Sequence, residues 1–323
     1  MLVCLDFGGS SIKYCVLEDS LLLTRPDQSI GEKGQIPNTF QDQKTFLQAI
    51  YDLVRKLQTK YTVTGVAISY CGELDHEKGV IHSPGSYQFN GGLPMKETLE
   101  AELKVPVAVE NDGNAAMLAE WRFGCLKGYE NAAMLVLGTG IAGSFVLDGR
   151  LHTGKMGFSG ILSMCPTDLT KPISLENAAI TSIASHYLMR EYLTRIGKTE
   201  VADMQLGRYL LDGQPFTGRE FFDRLHAGDP VAEAVLKDYA GNIARFLMSL
   251  QCVLEVEAFA IGGGITAQDV LIQAIRQALD EVYEAPFMEV VRLPKPKVER
   301  AGFGSDANLV GAALWFRQLH PAQ

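Results

Sequence analysis

The sequence lacks the features that mark membrane, disulfide-linked or metal-dependent secreted proteins. No apolar run in its 323 residues approaches the length that a bilayer-spanning helix needs. No cationic leader precedes the first apolar stretch, so we expect a cytoplasmic location. No C-x-x-C pair occurs, which favours reduced thiols over disulfides or a zinc site. The six cysteines are Cys4, Cys15, Cys71, Cys125, Cys165 and Cys252.

Positive charge is also scarce, because 29 lysines and arginines are set against 38 aspartates and glutamates. The resulting net charge of −9, without a basic stripe, argues against nucleic acid or an acidic membrane surface as a partner. It does not argue against ATP, which local backbone N–H groups and Mg²⁺ hold.

Apolar runs of strand length alternate along the chain with segments of helical periodicity, and this predicts an α/β fold. Residues 39–60 carry apolar side chains at helical spacing, and Asp229-Pro230 is a helix start with an N-cap and a proline at the first turn. Residues 20–40, with four glycines and prolines, predict a turn-rich segment. The length suits two domains better than one.

The most informative feature is a glycine hairpin that occurs twice. Residues 5–17 align with residues 135–147 without a gap, and each copy has two apolar runs joined by a small-residue turn. The turns are Gly8-Gly9-Ser10 and Gly138-Thr139-Gly140. Each turn alone is equally well a tight structural turn, but a duplicated pair with free N–H groups favours binding of a polyphosphate.

The second turn also matches the dinucleotide fingerprint formally, with Gly138, Gly140 and Gly143 at the required spacing. In a nicotinamide-dependent oxidoreductase that fingerprint opens a helix. Residues 144–149 instead predict a strand and a turn, so the hypothesis of a nicotinamide-dependent oxidoreductase rests on a weak match.

The first hairpin carries two charged candidates. Asp6 ends an apolar strand just before the turn, where a carboxylate can hold Mg²⁺ directly or through water; the alternative is an Asp that bonds its own turn. Val136 occupies the equivalent place in the second copy. Lys13 either reaches the phosphates or is a solvated strand residue, and the sequence favours the latter slightly.

Two further motifs follow predicted strands. Residues 110–116 read ENDGNAA, in which Asn111 or Asp112 either caps the next helix or presents a carboxylate that accepts a hydroxyl proton. Gly262-Gly263-Gly264 joins a strand to a helix, and it either permits close packing or lets an anion approach a helix N-terminus.

These motifs together resemble the ROK family (repressors, open reading frames and kinases) of the actin-like ATPase superfamily, from Val3 to about Phe316. Residues 6–10 and 137–140 are similar to its two phosphate motifs, residues 110–116 to its catalytic motif, residues 256–265 to its adenosine motif and residues 89–91 to its sugar loop. The resemblance implies a duplicated ribonuclease H-like fold of two lobes with a cleft. We expect a smaller lobe of residues 1–113 plus about 301–323, and a larger lobe of residues 114–300.

The resemblance also implies transfer of the γ-phosphoryl group of ATP to a hydroxyl of a hexose or hexose derivative. Asp112 would be the general base and Asp6 the Mg²⁺ ligand. Asn90, Asn111 and Glu176 would contact the sugar. The nucleotide would be held by Gly8, Gly9, Ser10, Lys13, Gly138, Thr139, Gly140, Gly262, Gly263 and Gly264. Family members are commonly dimers, so a homodimer is expected.

The chain departs from the family pattern at residues 157–164. Ile161 stands where a sugar-binding Glu is usual, and Met164 where a His contacts the sugar and often zinc. The zinc hairpin that normally follows is missing, so zinc is not expected. This departure leaves a second function open: a non-catalytic sugar sensor that acts through a protein partner.

Overall fold

The structure is a computed structural model, and it describes residues 1–18, 30–198, 201–203 and 208–321. The strands are β1 (Leu2–Phe7), β2 (Ser11–Leu17), β3 (Ile30–Pro37), β4 (Gly65–Tyr70), β5 (Leu74–Asp75), β6 (Val80–Ile81), β7 (Val107–Asn111), β8 (Ala132–Leu137), β9 (Ile141–Leu147), β10 (Arg150–His152), β11 (Val201–Asp203), β12 (Arg208–Leu211), β13 (Gln214–Phe216), β14 (Ala258–Gly262) and β15 (Lys297–Arg300). The helices are α1 (Gln43–Gln58), α2 (Met95–Leu103), α3 (Asp112–Phe123), α4 (Ala179–Ile183), α5 (His186–Arg195), α6 (Gly218–His226), α7 (Pro230–Leu254), α8 (Asp269–Tyr283), α9 (Pro286–Val291) and α10 (Ala307–Leu319).

The chain divides into two compact units. The first comprises Met1–Gly128, Leu151–Ser159 and Gly302–Gln323, and the second comprises Tyr129–Arg150 and Gly160–Ala301. The first unit thus runs past the expected boundary at residue 113, because α3 packs against α10. Residues 302–323 return to the first unit, close to the expected start at 301.

The first unit is built on a five-stranded sheet in the order β3-β2-β1-β4-β7. Strand β1 runs antiparallel to β2 and parallel to β4, so a hairpin and a parallel crossover share one central strand. Side chains of β1 alternate between two apolar clusters, with Val3, Leu5 and Phe7 in one and Leu2 and Cys4 in the other. Strands β1, β4 and β7 are therefore buried on both faces, and this explains their nearly continuous apolar sequences.

The second unit repeats this arrangement. Its main strands follow the order β9-β8-β14-β15, in which β8 is antiparallel to β9 and parallel to β14. Residues of β8 and β9 pack with those of α5, α7 and α8 in one large apolar cluster. A separate three-stranded sheet joins β11, β12 and β13. The duplication inferred from the two glycine hairpins is therefore a duplication of whole sheets.

The helices begin and end where local chemistry indicates. Asp42 caps α1 by accepting the N–H of Thr45 at 2.9 Å, and the apolar side of that helix is buried. Asp229 caps α7 by accepting the N–H groups of Val231 and Ala232, with Pro230 in the first turn. Both starts match the expectations from sequence.

The turn-rich segment expected at residues 20–40 is wrong in its second part; residues 19–29 lie outside the described residues. Residues 30–37 form β3, which pairs antiparallel with β2. Pairing with β2 overrides the turn propensity here. A side chain at Gly34 would clash with Tyr14, whose hydroxyl oxygen would lie 2.4 Å from the added Cβ. Glycine at this strand position lets the ring lie across the backbone.

No helix among the described residues has both the length and the apolar character to cross a bilayer.

Candidate active site

Asp6 is buried at the end of β1, where two neutral donors hold one of its carboxylate oxygens. Oδ1 accepts hydrogen bonds from Ser69 Oγ and from Asn308 Nδ2, each at 3.0 Å. The other oxygen, Oδ2, lies 3.9 Å from Lys13 Nζ, because Asp6 and Lys13 are paired across the hairpin. The two donors come from β4 and α10, so three stretches of sequence fix this carboxylate.

The Asp6 carboxylate is chemically suited to bind Mg²⁺. Mg²⁺ usually takes one or two carboxylates and completes its shell with water and substrate phosphates. Oδ2 is a hard oxygen donor with no closer partner than Lys13 in the described part of the chain. No group of three or more His, Cys, Asp or Glu among those residues is arranged to hold a metal by itself.

Asp112 is the first residue of α3, directly after β7. Asn111 caps that helix: its Oδ1 accepts the N–H groups of Gly113 and Asn114, at 2.9 and 3.2 Å. Its Nδ2 donates to the carbonyl of Gly72 at 3.1 Å. The capping interpretation therefore holds for Asn111, whereas its contact with a sugar stays a prediction. The Asp112 carboxylate accepts the N–H of Gly113 at 2.8 Å.

The protonation of Asp112 is strongly perturbed. Burial raises the pKa of its carboxyl to about 6, against the opposing effect of the Gly113 N–H, and the negative charges of Asp6 and Glu73 add to the rise. Glu73 was not expected from the sequence, since it lies in a loop with no motif around it. A carboxylate of this pKa can take up a proton near neutral pH.

Asn90 ends a 3₁₀ turn at Gln88–Asn90 and is fully buried. Its Nδ2 donates to the hydroxyl of Tyr70 at 3.4 Å. Its Oδ1 is buried and has no hydrogen-bond partner in the described part of the chain. A buried acceptor without a donor is costly, so this oxygen is a suitable partner for a donor that arrives with a ligand.

In the first glycine turn, residues 8–10, each backbone carbonyl accepts a hydrogen bond from elsewhere in the first unit. The carbonyl of Gly8 accepts from Tyr87 Oη at 2.9 Å, that of Gly9 from Asn38 Nδ2 at 2.9 Å, and that of Ser10 from Asn38 N at 3.0 Å. The N–H of Gly8 closes the hairpin on the carbonyl of Ser11. Fixing the carbonyls in this way orients the peptide N–H groups of Gly9 and Ser10 away from them, as an anion site requires.

The second glycine turn, residues 138–140, is also held by hydrogen bonds to its backbone. The carbonyl of Gly138 accepts from both the N–H and the Oγ of Ser185, at 2.9 and 2.7 Å. Ser163 Oγ accepts the N–H of Ile141 at 2.7 Å. Strand β9 continues from residue 141 to residue 147, so no helix follows Gly143 and the oxidoreductase interpretation loses its structural context.

The glycines of the triplet 262–264 differ in whether packing requires them. Gly263 has φ 109°, and a Cβ there would lie 2.2 Å from the carbonyl of Leu137, so this glycine is required for packing of β14 on β8. Gly264 has open space around its Cα. The triplet is not at the N-terminus of α8, because a 3₁₀ turn follows at Gly264–Ala267 and α8 begins at Asp269. Contact of the triplet with a nucleotide stays a prediction.

The segment that departs from the family pattern is attached to the second glycine turn. Gly160 accepts the N–H of Gly143 at 2.7 Å and has φ 94°, and Ser163 bonds Ile141 as described. Ile161 and Met164 are 37% and 50% exposed, and Glu176 is also exposed. They lie in one loop cluster, because the N–H of Ala179 donates to the carbonyl of Cys165 at 2.8 Å.

Asn177 organises the loop that follows. Its side chain donates to the carbonyls of Asp168 and Pro172, at 2.8 and 3.2 Å, and accepts the N–H of Asp168 at 2.9 Å. One buried amide thus ties together the loop in the place where the family usually has a zinc hairpin. The sequence gives no signal for this role beyond an Asn after Glu176.

Comparison with known proteins decides the family. The model of the ROK family matches residues 2–319. The chain belongs to the ROK family. Among ROK-family relatives, a beta-glucoside kinase of Klebsiella pneumoniae is 29% identical, covering 98% of this chain and 95% of the relative. A glucokinase of Streptomyces coelicolor is 27% identical, covering 98% and 97%.

Solved ROK structures share the fold. A ROK family glucokinase from Streptomyces griseus, in complex with glucose and AMPPNP, superposes with a TM-score of 0.75 at 24% identity and covers 98% of this chain and 99% of its own. The expected family and the expected α/β, actin-like ATPase fold are thereby confirmed. The individual site residues are not tested by these similarities.

Proposed function

We propose that this ROK protein is an ATP-dependent sugar kinase that transfers the γ-phosphoryl group to a hydroxyl of a hexose or hexose derivative, with Asp112 as general base. The observation that carries the proposal is the half-buried Asp112 carboxylate in the first turn of α3, where desolvation raises its pKa to about 6. The named sugar kinases among the relatives support the sugar-kinase part.

The pKa of Asp112 suits proton transfer from a sugar hydroxyl. An ordinary aspartate is too weak a base to accept a hydroxyl proton efficiently, whereas a base whose pKa lies closer to neutral pH is stronger and still ionised. Burial supplies this shift, and the nearby Asp6 and Glu73 charges strengthen it. Asp112 would take the hydroxyl proton as the oxygen attacks the γ-phosphorus.

The other residues would bind and orient the reactants. The phosphates of ATP would accept from the N–H groups of the two anchored turns, at Gly8–Ser10 and Gly138–Gly140. Asp6 would hold Mg²⁺, which when bound neutralises charge on the phosphate oxygens. The buried Asn90 Oδ1, which has no partner in the described part of the chain, would accept from a sugar hydroxyl.

The exposed apolar side chains favour a substituted sugar over free glucose. Ile161 and Met164 offer exposed hydrocarbon surface, whereas recognition of a hydroxyl would need polar groups. The substituent of a glycoside is a suitable occupant for such a surface. Two relatives agree with this choice, since beta-glucoside kinases of Klebsiella pneumoniae and Listeria innocua are 29% and 27% identical.

Phosphotransfer to a sugar panel tests the proposal. The protein is incubated with ATP, Mg²⁺ and glucose, an amino sugar or an aryl β-glucoside, and ADP release is followed. We expect turnover, highest with the glycoside, and a loss of kcat on the order of 10²-fold or more in D112N. The matched control is D52N, which changes an exposed carboxylate on α1 and leaves kcat unchanged.

Two outcomes would contradict the proposal. Phosphotransfer at the wild-type rate in D112N would remove Asp112 as the base. If no sugar of the panel caused ADP release, although calorimetry showed that a sugar binds, the non-catalytic sugar sensor that acts through a protein partner would be favoured instead.

A further inference from the structure

A buried His–Glu pair includes Glu110, which stands two residues before the candidate base, and the proposed mechanism does not use this pair. His76 Nδ1 is 2.7 Å from Glu110 Oε1, at ion-pair distance but off the direction of a good hydrogen bond. Glu110 is completely buried and His76 is 8% exposed. Burial of a carboxylate is costly without a compensating polar group, and the imidazole places a ring nitrogen beside this carboxylate.

Glu110 fixes the turn that carries Asp112. Its Oε1 accepts the backbone N–H of Asn111 at 2.7 Å and the side-chain amide of Asn114 at 3.0 Å. Those two residues flank Asp112 and Gly113 in the first turn of α3. The other oxygen, Oε2, is buried without a hydrogen-bond partner among the described residues. The orientation of this single carboxylate therefore determines where the catalytic turn sits.

The surroundings of His76 leave it few other roles. Its ring meets Trp315 edge-on at 6.2 Å, and its Nε2 has no hydrogen-bond partner in the described part of the chain. The backbone of Gly157 passes over this nitrogen so closely that a Cβ there would lie 2.9 Å from it. An imidazole that is enclosed on this side and faces a carboxylate on the other is well placed to hold that carboxylate.

We propose that His76 is a positioning residue for phosphoryl transfer, which holds the Glu110 carboxylate and through it the Asn111–Asp112 turn. This inference rests on the proposed function, because it assigns His76 a role behind the proposed base. Without the imidazole, the buried carboxylate would rotate toward another donor or admit water, and the Asn111 N–H would lose its acceptor. Asp112 would then shift, and a shift of about 1 Å in a catalytic group costs on the order of 100-fold in rate.

Steady-state kinetics of H76L, E110Q and the double variant test the proposal. We expect H76L to lower kcat roughly 10- to 100-fold, with KM for ATP and for the sugar changed less than about threefold, because the loss falls on the transition state. In E110Q the buried charge is gone, so adding H76L should cost little more. A purely structural contribution would instead multiply the two losses.

The matched control is H82L. His82 lies on the same segment, is exposed, and stacks on Phe158 at 6.3 Å without contact with Glu110. We expect its kcat to equal that of the wild type. Urea unfolding of each variant checks that the protein is folded under the conditions of the kinetic assay. Should H76L not fold, H76Q, which keeps an amide donor, is expected to retain more activity than E110Q.

The outcomes separate this inference from the proposed function. Wild-type protein without turnover on any sugar would overturn the proposed function. Turnover in the wild type together with an unchanged kcat in folded H76L, or losses that multiply in the double variant, would overturn the positioning role of His76 alone.

Discussion

At the scale of single residues, the site is controlled by how a few carboxylates are paired. Among the described residues, Asp6 has two neutral donors and a lysine, Glu110 has a histidine and two N–H donors, and Asp112 accepts the N–H of Gly113. Asp112, which has the fewest of these partners to offset its negative charge, is the carboxylate that we propose as the general base. This division follows from burial, which penalises an unpaired charge and thereby makes it basic.

The rate should depend on pH through Asp112. Because its pKa is raised to about 6, the carboxylate is protonated below that pH and ionised above it. We expect kcat/KM to rise with pH through about 6 and to fall roughly tenfold per unit below it. A pH profile of the wild-type enzyme measures this. A flat profile from pH 5 to 8, with the protein still folded at pH 5, would contradict the assignment.

At the scale of elements, some strand ends have a backbone geometry that only glycine adopts without strain. The end of β14 is the sharpest case, because Gly263 combines a left-handed φ with a near contact to the carbonyl of Leu137 in β8. The neighbouring Gly264 has neither constraint. Glycine is therefore required by packing at one position and not at the next.

This contrast gives a matched pair of variants. We expect G263A to lower the free energy of unfolding by roughly 2 kcal/mol or more, since the new methyl group must displace the β8 backbone and adopt a strained φ. We expect G264A to stay within about 0.5 kcal/mol of the wild type. Urea denaturation compares them. Equal stability of the two variants would show that β14 and β8 are not packed as described.

At the scale of the whole molecule, the first unit is assembled from distant parts of the chain. Helix α10 returns to this unit from the end of the sequence and packs against α3 and strands β1, β4 and β7. It also brings Asn308 to Asp6, a contact between residues separated by 302 positions. The candidate metal ligand is therefore fixed only when the last helix has docked.

Docking of α10 should be a large part of the stability of the first unit. Phe316 is 3% exposed and its ring lies where a side chain at Gly65 would be. We expect F316A to lower the free energy of unfolding by roughly 3–5 kcal/mol. The matched control is F287A on α9, which is 55% exposed and should cost less than about 1 kcal/mol. Similar losses in both variants, measured by urea denaturation, would contradict the packing of α10.

Local sequence determined the elements whose signals are local. The two glycine hairpins, the amphipathic α1 and the cap of α7 need only neighbouring residues, so they appear where they were expected. The positions of Asp6 at a strand end and Asp112 after a strand are likewise local facts. The family follows from the same motifs, because their order and spacing along the chain are preserved.

Tertiary structure alone decided which groups surround those residues. Strand β3 exists because β2 offers a pairing edge, although its own glycines and proline predict a turn. Ser69, Glu73, His76 and Asn308 carry no motif, and only the sheet and the docked α10 bring them to the carboxylates. Burial, and with it the raised pKa of Asp112, is a property of the assembled unit, since a charge is desolvated only when distant segments pack around it.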